Sequence, residues 1–174
     1  MTIILTNDIL NQLINNQELK VMTKRQPQTN NYNYYLSPNI GFCLYNPKII
    51  VVNPKFLVLQ FNKVDNINLL NLLRNASESI YKHVKKSNYI VETTKFYHIE
   101  SEQENTFSIR CYLPHVRNKY FIKVELNNCY GNEESKFWLP PKNSTYDSVI
   151  LEIRNMWLND EKVGFNLELK SIKN

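Results

Sequence analysis

Two stretches of this chain alternate cations and aromatic rings with core-type residues, at the two-residue period of a β-strand. In the segment 119–126, Tyr120, Ile122, Val124 and Leu126 share one parity, which leaves Lys119, Phe121, Lys123 and Glu125 on the other face. In the segment 107–113, Phe107, Ile109, Cys111 and Leu113 form the apolar set, so Ser108, Arg110 and Tyr112 point outward. Cations neutralise phosphates and flat rings stack on unpaired bases, at about 1–3 kcal/mol per base, so this alternation suits a single nucleic-acid strand. Lys55 and Lys63 bracket a third apolar run, Phe56–Asn62, and Tyr32, Tyr34 and Tyr35 sit in a stretch without acids. The candidate phosphate contacts are therefore Lys55, Lys63, Arg110, Lys119 and Lys123, and the candidate stacking rings are Phe121, Tyr112, Tyr34 and Tyr35. The competing reading packs these rings in the core or under loops and leaves the lysines to keep an edge soluble. Lys82, Lys85 and Lys86 suit a solvated helix end.

Charge distribution favours the same chemistry. The net charge is +5 with a pI near 9.0, a moderate bias towards a polyanionic partner. No acid occurs between Glu18 and Asp65, where Lys20, Lys24, Arg25, Lys48, Lys55 and Lys63 lie, and none occurs over Asn105–Val124. Asparagine occurs 26 times and alanine once, a composition of the kind an AT-rich genome produces. Asparagine patches such as Asn30–Asn33, and the sequons at Asn75 and Asn143, are ascribed to that drift.

Other chemistries lack their residues. With 3 glycines there is no glycine-rich phosphate loop, and neither a nucleophile elbow nor a helix with paired histidines is present. His83, His98 and His115 are scattered and read as structural or solvent-exposed. Glu100, Glu102 and Glu104 alternate without imidazole partners, as a solvated loop edge does. The expected protein is non-enzymatic, with no cofactor and no metal; a metal-dependent nuclease built from dispersed carboxylates is the catalytic alternative. The 3 cysteines are odd in number and widely spaced, so they read as reduced thiols. The opening MTIILTNDIL meets Asp8 before any apolar run reaches signal length, and eighteen apolar residues never occur together, so an intracellular protein without a membrane partner is expected.

These residues need a frame. Ile9, Leu10, Leu13 and Ile14 predict a short N-terminal helix over about 6–18 capped by Thr6 or Asn7, with residues 20–40 irregular. Apolar runs cut by Pro47 and Pro54 predict strands at Phe42–Tyr45, Ile49–Asn53 and Phe56–Lys63. Ile67, Leu70, Leu73, Ile80, Tyr81 and Val84 predict one long helix near 66–86. Strands follow at Tyr89–Ile99, Phe107–Leu113 and Lys119–Leu126, then a loop over Cys129–Ser144. Ser148–Asn159 and Lys162–Ile172 predict a closing hairpin, with Val149, Leu151, Ile153 and Trp157 on one buried face. The sum is a single β-rich α+β domain over 1–174, with 1–40 as N-terminal helix and irregular extension and 41–174 as the core. Its expected form is an OB-fold-like, five-stranded or slightly larger antiparallel barrel in which the hairpin is scaffold.

Three motifs carry a family likeness: Asn53-Pro54-Lys55-Phe56-Leu57-Val58 continuing through Leu59-Gln60-Phe61-Asn62-Lys63, then Phe107-Ser108-Ile109-Arg110, then Trp157 with Lys162-Val163-Gly164-Phe165. Through them the chain resembles the single-stranded-DNA-binding proteins of nucleocytoplasmic large DNA viruses, which are similar to the phage-type OB-fold proteins. The resemblance implies binding of single-stranded DNA with little sequence preference, protecting exposed strands during viral DNA replication, recombination and repair. It implies a viral replication compartment in host cytoplasm or nucleus, with viral replication proteins as further partners and a homodimer as one oligomeric alternative. The phage relatives carry an acidic tail that docks partners, which Lys170-Ser171-Ile172-Lys173-Asn174 does not resemble, so that recruitment is not carried over. Two rivals stand beside this reading: an RNA-binding module, and a viral structural or adaptor protein that uses the same face for protein contacts.

Overall fold

The computed structural model describes residues 2–25, 32–87, 95–96, 99–116, 119–120, 123–125, 140–159 and 162–174. The first half contains β1 (Thr2–Ile4), α1 (Asn7–Asn15), β2 (Lys20–Arg25), β3 (Tyr32–Ser37), β4 (Asn39–Tyr45), β5 (Lys48–Val52), β6 (Phe56–Asn62) and α2 (Lys63–Ser87). The second half contains β7 (Lys95–Phe96), β8 (Ile99–Glu102), β9 (Thr106–Tyr112), β10 (His115–Val116), β11 (Lys119–Tyr120), β12 (Lys123–Glu125), β13 (Ser148–Asn159) and β14 (Lys162–Lys173).

The C-terminal alternation builds the spine of the sheet. β13 and β14 pair antiparallel from Ser148↔Lys173 to Asn159↔Lys162. β4 and β3 pair with successive lengths of the outer edge of β13, and β1 and β2 add beyond them. The other edge of β14 takes β9 in parallel, then β6 and β5 in antiparallel order. β8 adds to β9, while β7 and β12 pair in parallel with β14. The result is an open, mixed 12-stranded sheet with β10 and β11 as a separate pair. The expectation of purely antiparallel pairing is corrected: β14 turns back from β13 and so runs the same way as β9. In addition, Thr145 bridges Lys48, and the Ile49 N–H donates to the Ser144 carbonyl at 2.9 Å.

The 20–40 segment, expected to be irregular, supplies β2 and β3. The strand expected over 119–126 is described as two short ones in different sheets, and most of the predicted Tyr89–Ile99 strand and Cys129–Ser144 loop lies outside the described residues.

Two bulges set which hairpin side chains face the core. Lys170 is the extra residue between the pairs Ile150↔Ser171 and Leu151↔Leu169, and Arg154 is the extra residue between Ile153↔Leu167 and Asn155↔Asn166. One inserted residue reverses the face of everything after it. Val149, Leu151 and Ile153 are buried, but the next buried apolar side chain is Met156. Trp157, expected beside Ile153 in the core, therefore lies on the opposite face.

The buried face of the sheet joins Phe61, Phe107, Leu151 and Leu167 to the inner sides of both helices. The Phe61 and Phe107 rings stack with centroids 5.3 Å apart. Thr6 caps α1 by accepting the Ile9 N–H at 3.2 Å, as its position suggested. α2 begins at Lys63, earlier than expected, because the Asn62 side chain accepts the Val64 N–H at 2.8 Å. Buried Asn66 then ties the helix to the end of β4: its Oδ1 accepts the Tyr45 N–H at 2.8 Å and its Nδ2 donates to the Tyr45 carbonyl at 2.9 Å. Turning Asn66 inward rotates its neighbour Ile67 outward to 44% exposure, which corrects its expected place on the buried stripe.

Candidate nucleic-acid interface

Register defines one outer face that runs across five strands. On β14, Gly164, Asn166 and Glu168 alternate with buried Phe165, Leu167 and Leu169. Their partners on β13, namely Trp157, Asn155 and Glu152, share that face. Tyr112 of β9 lies level with Glu168, Phe56 of β6 lies opposite Tyr112, and Asn33 of β3 lies opposite Trp157. Phe56 and Tyr112 mark one end, Trp157 and Asn33 the other. Strand rise and spacing put Tyr112 and Trp157 about 16 Å apart.

At the first end the Arg110 guanidinium lies over the Phe56 ring, 4.4 Å from its centroid, an exposed cation–π contact of about 0.5–1 kcal/mol. Arg110 also bonds Glu100 of β8 at 2.6 Å. Lys63, the first residue of α2, bonds Glu102 at 2.9 Å, and Arg74 bonds the same carboxylate. Hydrogen bonds from Arg74 and then Lys63 hold the Glu102 carboxyl below its ordinary range. The carboxylates expected to form a loop edge thus sit on or beside β8, and two of them neutralise cations expected to meet phosphate. Lys55 is exposed in the turn before β6, with its N–H donating to Asn53 Oδ1 at 2.9 Å and no ion pair among the described residues.

Of the remaining predicted residues, Tyr34 is corrected most plainly: it is 1% exposed and belongs to the core. Its neighbour Tyr35 is half-buried on the outer side of β3. Lys119 and Lys123 are described through backbone pairing in β11 and β12, and Phe121 lies outside the described residues. Arg110 and Tyr112 are therefore the predicted pair that the fold brings together, and Phe56 completes them.

The second end was missed by counting parity. The Trp157 indole lies against Gly164, where a Cβ would come within 2.6 Å of the ring. Beside it Asn166 Nδ2 donates to Asn155 Oδ1 at 3.1 Å, and Asn155 Nδ2 donates to Asn33 Oδ1 at 3.1 Å, a row of amides across β14, β13 and β3. Arg154 is exposed at its bulge and makes no ion pair among the described residues. The only trace of this end in the sequence is a glycine at a strand position, where close approach of another group is the usual reason.

Between the ends, Lys170 bonds Glu168 at 2.7 Å and Glu152 at 3.1 Å, and the Thr2 hydroxyl donates to Glu152. Partial burial pulls the Lys170 ammonium down, but its bonds to Glu168 and Glu152 outweigh this and hold it above the usual lysine range. His83 contacts the Leu19 carbonyl at 3.2 Å, as a structural histidine does. Burial pushes the Cys111 thiol up to about 12, so it stays protonated. Among the described residues no three His, Cys, Asp or Glu side chains are grouped to hold a metal ion, and no helix is long and apolar enough to cross a membrane.

No protein-family model matches this chain, and no curated protein matches it.

Proposed function

We propose that the outer face binds single-stranded DNA with little sequence preference and without catalysis, coating exposed strands during viral DNA replication, recombination and repair. The observation that carries this reading is the cluster of Phe56, Arg110 and Tyr112, with a guanidinium laid on one ring and a second ring opposite the first in register. Rings with a held cation suit unpaired bases and the phosphates between them. Exposed Lys55 adds a cation at the turn beside Phe56.

The strand path supports an OB-like form of the domain. From β4 and β5 it runs through β6, β9, β14 and β13, and β13 pairs back onto β4 while the residues just before it bridge to β5. In an OB-fold the second and third strands and the loops before the second and after the fourth bind oligonucleotides. Here those strands correspond to β6 and β9, which carry the cluster, and the first of those loops to the Asn53–Lys55 turn.

Titration of a fluorescent oligothymidine strand tests the proposal. Affinity falls with salt, and if five phosphates are neutralised log K changes with log salt with a slope of about −3.5. A flat salt response, or tighter binding to duplex than to single strand, overturns it. Competition with a matched RNA separates the two nucleic acids, because stacking and phosphate contacts alone do not read the sugar.

A further inference from the structure

We propose that the hairpin end of the outer face is a second base-contact subsite, which takes one unpaired nucleobase against Trp157 and Tyr35 and its phosphate on Arg154. This deepens the single-strand reading and rests on it.

The bulge at Arg154 is the root of the arrangement. Were Arg154 paired as an ordinary strand residue, Trp157 would follow Val149, Leu151 and Ile153 into the core; left unpaired at the bulge, Arg154 sets the indole on the outer face and Met156 in the interior. Gly164 opposite lets the ring lie against the sheet, since a Cβ there would stand 2.6 Å from Cζ2 and 2.9 Å from Nε1 of the indole. Tyr35 reaches the same outer side from β3, because its neighbour Tyr34 is directed into the core. Two half-buried rings on adjacent strands are held by the sheet and not by a loop.

Polar groups complete the site. The amide row runs in one direction, Asn166 to Asn155 to Asn33, with Asn155 buried and fixed at its centre. Among the described residues this leaves the Asn33 amide nitrogen as a donor and the Asn166 amide oxygen as an acceptor with no side-chain partner. Base edges offer the complementary donors and acceptors. Neutral amides also add no charge that would repel a phosphate chain. Arg154, put out by the bulge, is exposed beside the row with no carboxylate partner among the described residues, so its charge is available to phosphate. A Trp157 that merely covers Gly164 needs neither the amide row nor an unpaired cation.

The test compares the full-length chain with Trp157→Ala, Gly164→Ala, Arg154→Ala and Tyr112→Ala in oligothymidine titrations, with thermal unfolding of each variant as the control for folding. Loss of one stacked base weakens Trp157→Ala by about 5- to 150-fold. Gly164→Ala, which keeps the tryptophan but displaces it, weakens binding in the same direction. Arg154→Ala lowers the magnitude of the salt slope by about 0.7. If Trp157→Ala fails to fold, emission of Trp157 in a Trp138→Phe background decides: quenching at saturation supports the subsite and unchanged emission overturns it. Wild-type affinity in Trp157→Ala and Gly164→Ala, with Tyr112→Ala weakened, overturns this subsite and leaves the single-strand reading intact. If the unmodified protein binds no oligonucleotide, both readings fall.

Discussion

At the β6–β9 end of the outer face Arg110 is bound to Glu100 of β8, whereas at the hairpin end Arg154 stands exposed without an ion pair among the described residues. The two ends carry the same kinds of residue under different electrostatic conditions. Phosphate arriving at the first must displace Glu100; at the second it meets Arg154, which has no ion pair among the described residues. Geometry differs as well. At the first end an unbroken alternation aims Arg110 and Tyr112 outward, while at the second a single inserted residue aims Trp157. Strand parity alone therefore positions one end, and a bulge positions the other.

The largest break in this comparison is Met156→Ala, which empties the core position that the bulge gives to Met156 in place of Trp157, at a cost of about 2–5 kcal/mol, the range of a lost core side chain. Urea unfolding reads it directly, and a variant as stable as wild type contradicts the bulge assignment. Next in size, Phe56→Ala removes a stacking ring and the support beneath Arg110. Oligothymidine affinity drops about 5- to 150-fold by titration, while wild-type affinity assigns Phe56 to packing alone.

Smaller effects separate the cations. Glu100→Gln frees Arg110 from its surface partner, so affinity rises about 1.5- to 5-fold, the range set by an exposed ion pair. A fall in affinity on the same substitution shows that the carboxylate orients Arg110 more than it competes with phosphate. The smallest effect is on pH. Glu102 titrates below its unfolded value of 4.5, so the folded state binds fewer protons there than the unfolded one. Its contribution is present above that value and is lost as pH falls through the lower folded pKa. Glu102→Gln flattens this acid limb by less than about 1 kcal/mol in pH-dependent unfolding, because both partners face solvent. An unaltered acid limb removes the Lys63–Glu102–Arg74 cluster from the account.

Two local patterns in the sequence match the structure. The alternation of Phe107, Ile109, Cys111 and Leu113 matches the buried face of β9, and the Ser148–Asn159 and Lys162–Ile172 arms match the hairpin to within a residue. What failed was long-range. No spacing rule reveals that Glu100 will meet Arg110 across a strand pair, or that Glu102 will meet the start of a helix. Parity counting assumes an unbroken strand, so Arg154 hid the true place of Trp157. Composition misled in its own way, because Asn33 belonged to a patch ascribed to codon drift and yet ends a hydrogen-bonded row. Polar residues and Pro38 disguised β2 and β3 as irregular chain, and β-pairing to the long edge of β13 overrode that local signal.

Ultraviolet cross-linking of a bound oligothymidine strand, with the adducts located by mass spectrometry, tests the outer-face account most directly. The account predicts adducts on Phe56 and Tyr112 at one end and on Trp157 or Tyr35 at the other, all lost at high salt. Adducts confined to the exposed side of α2 around Val64 and Ile67, or none at all under conditions of saturated binding, contradict it.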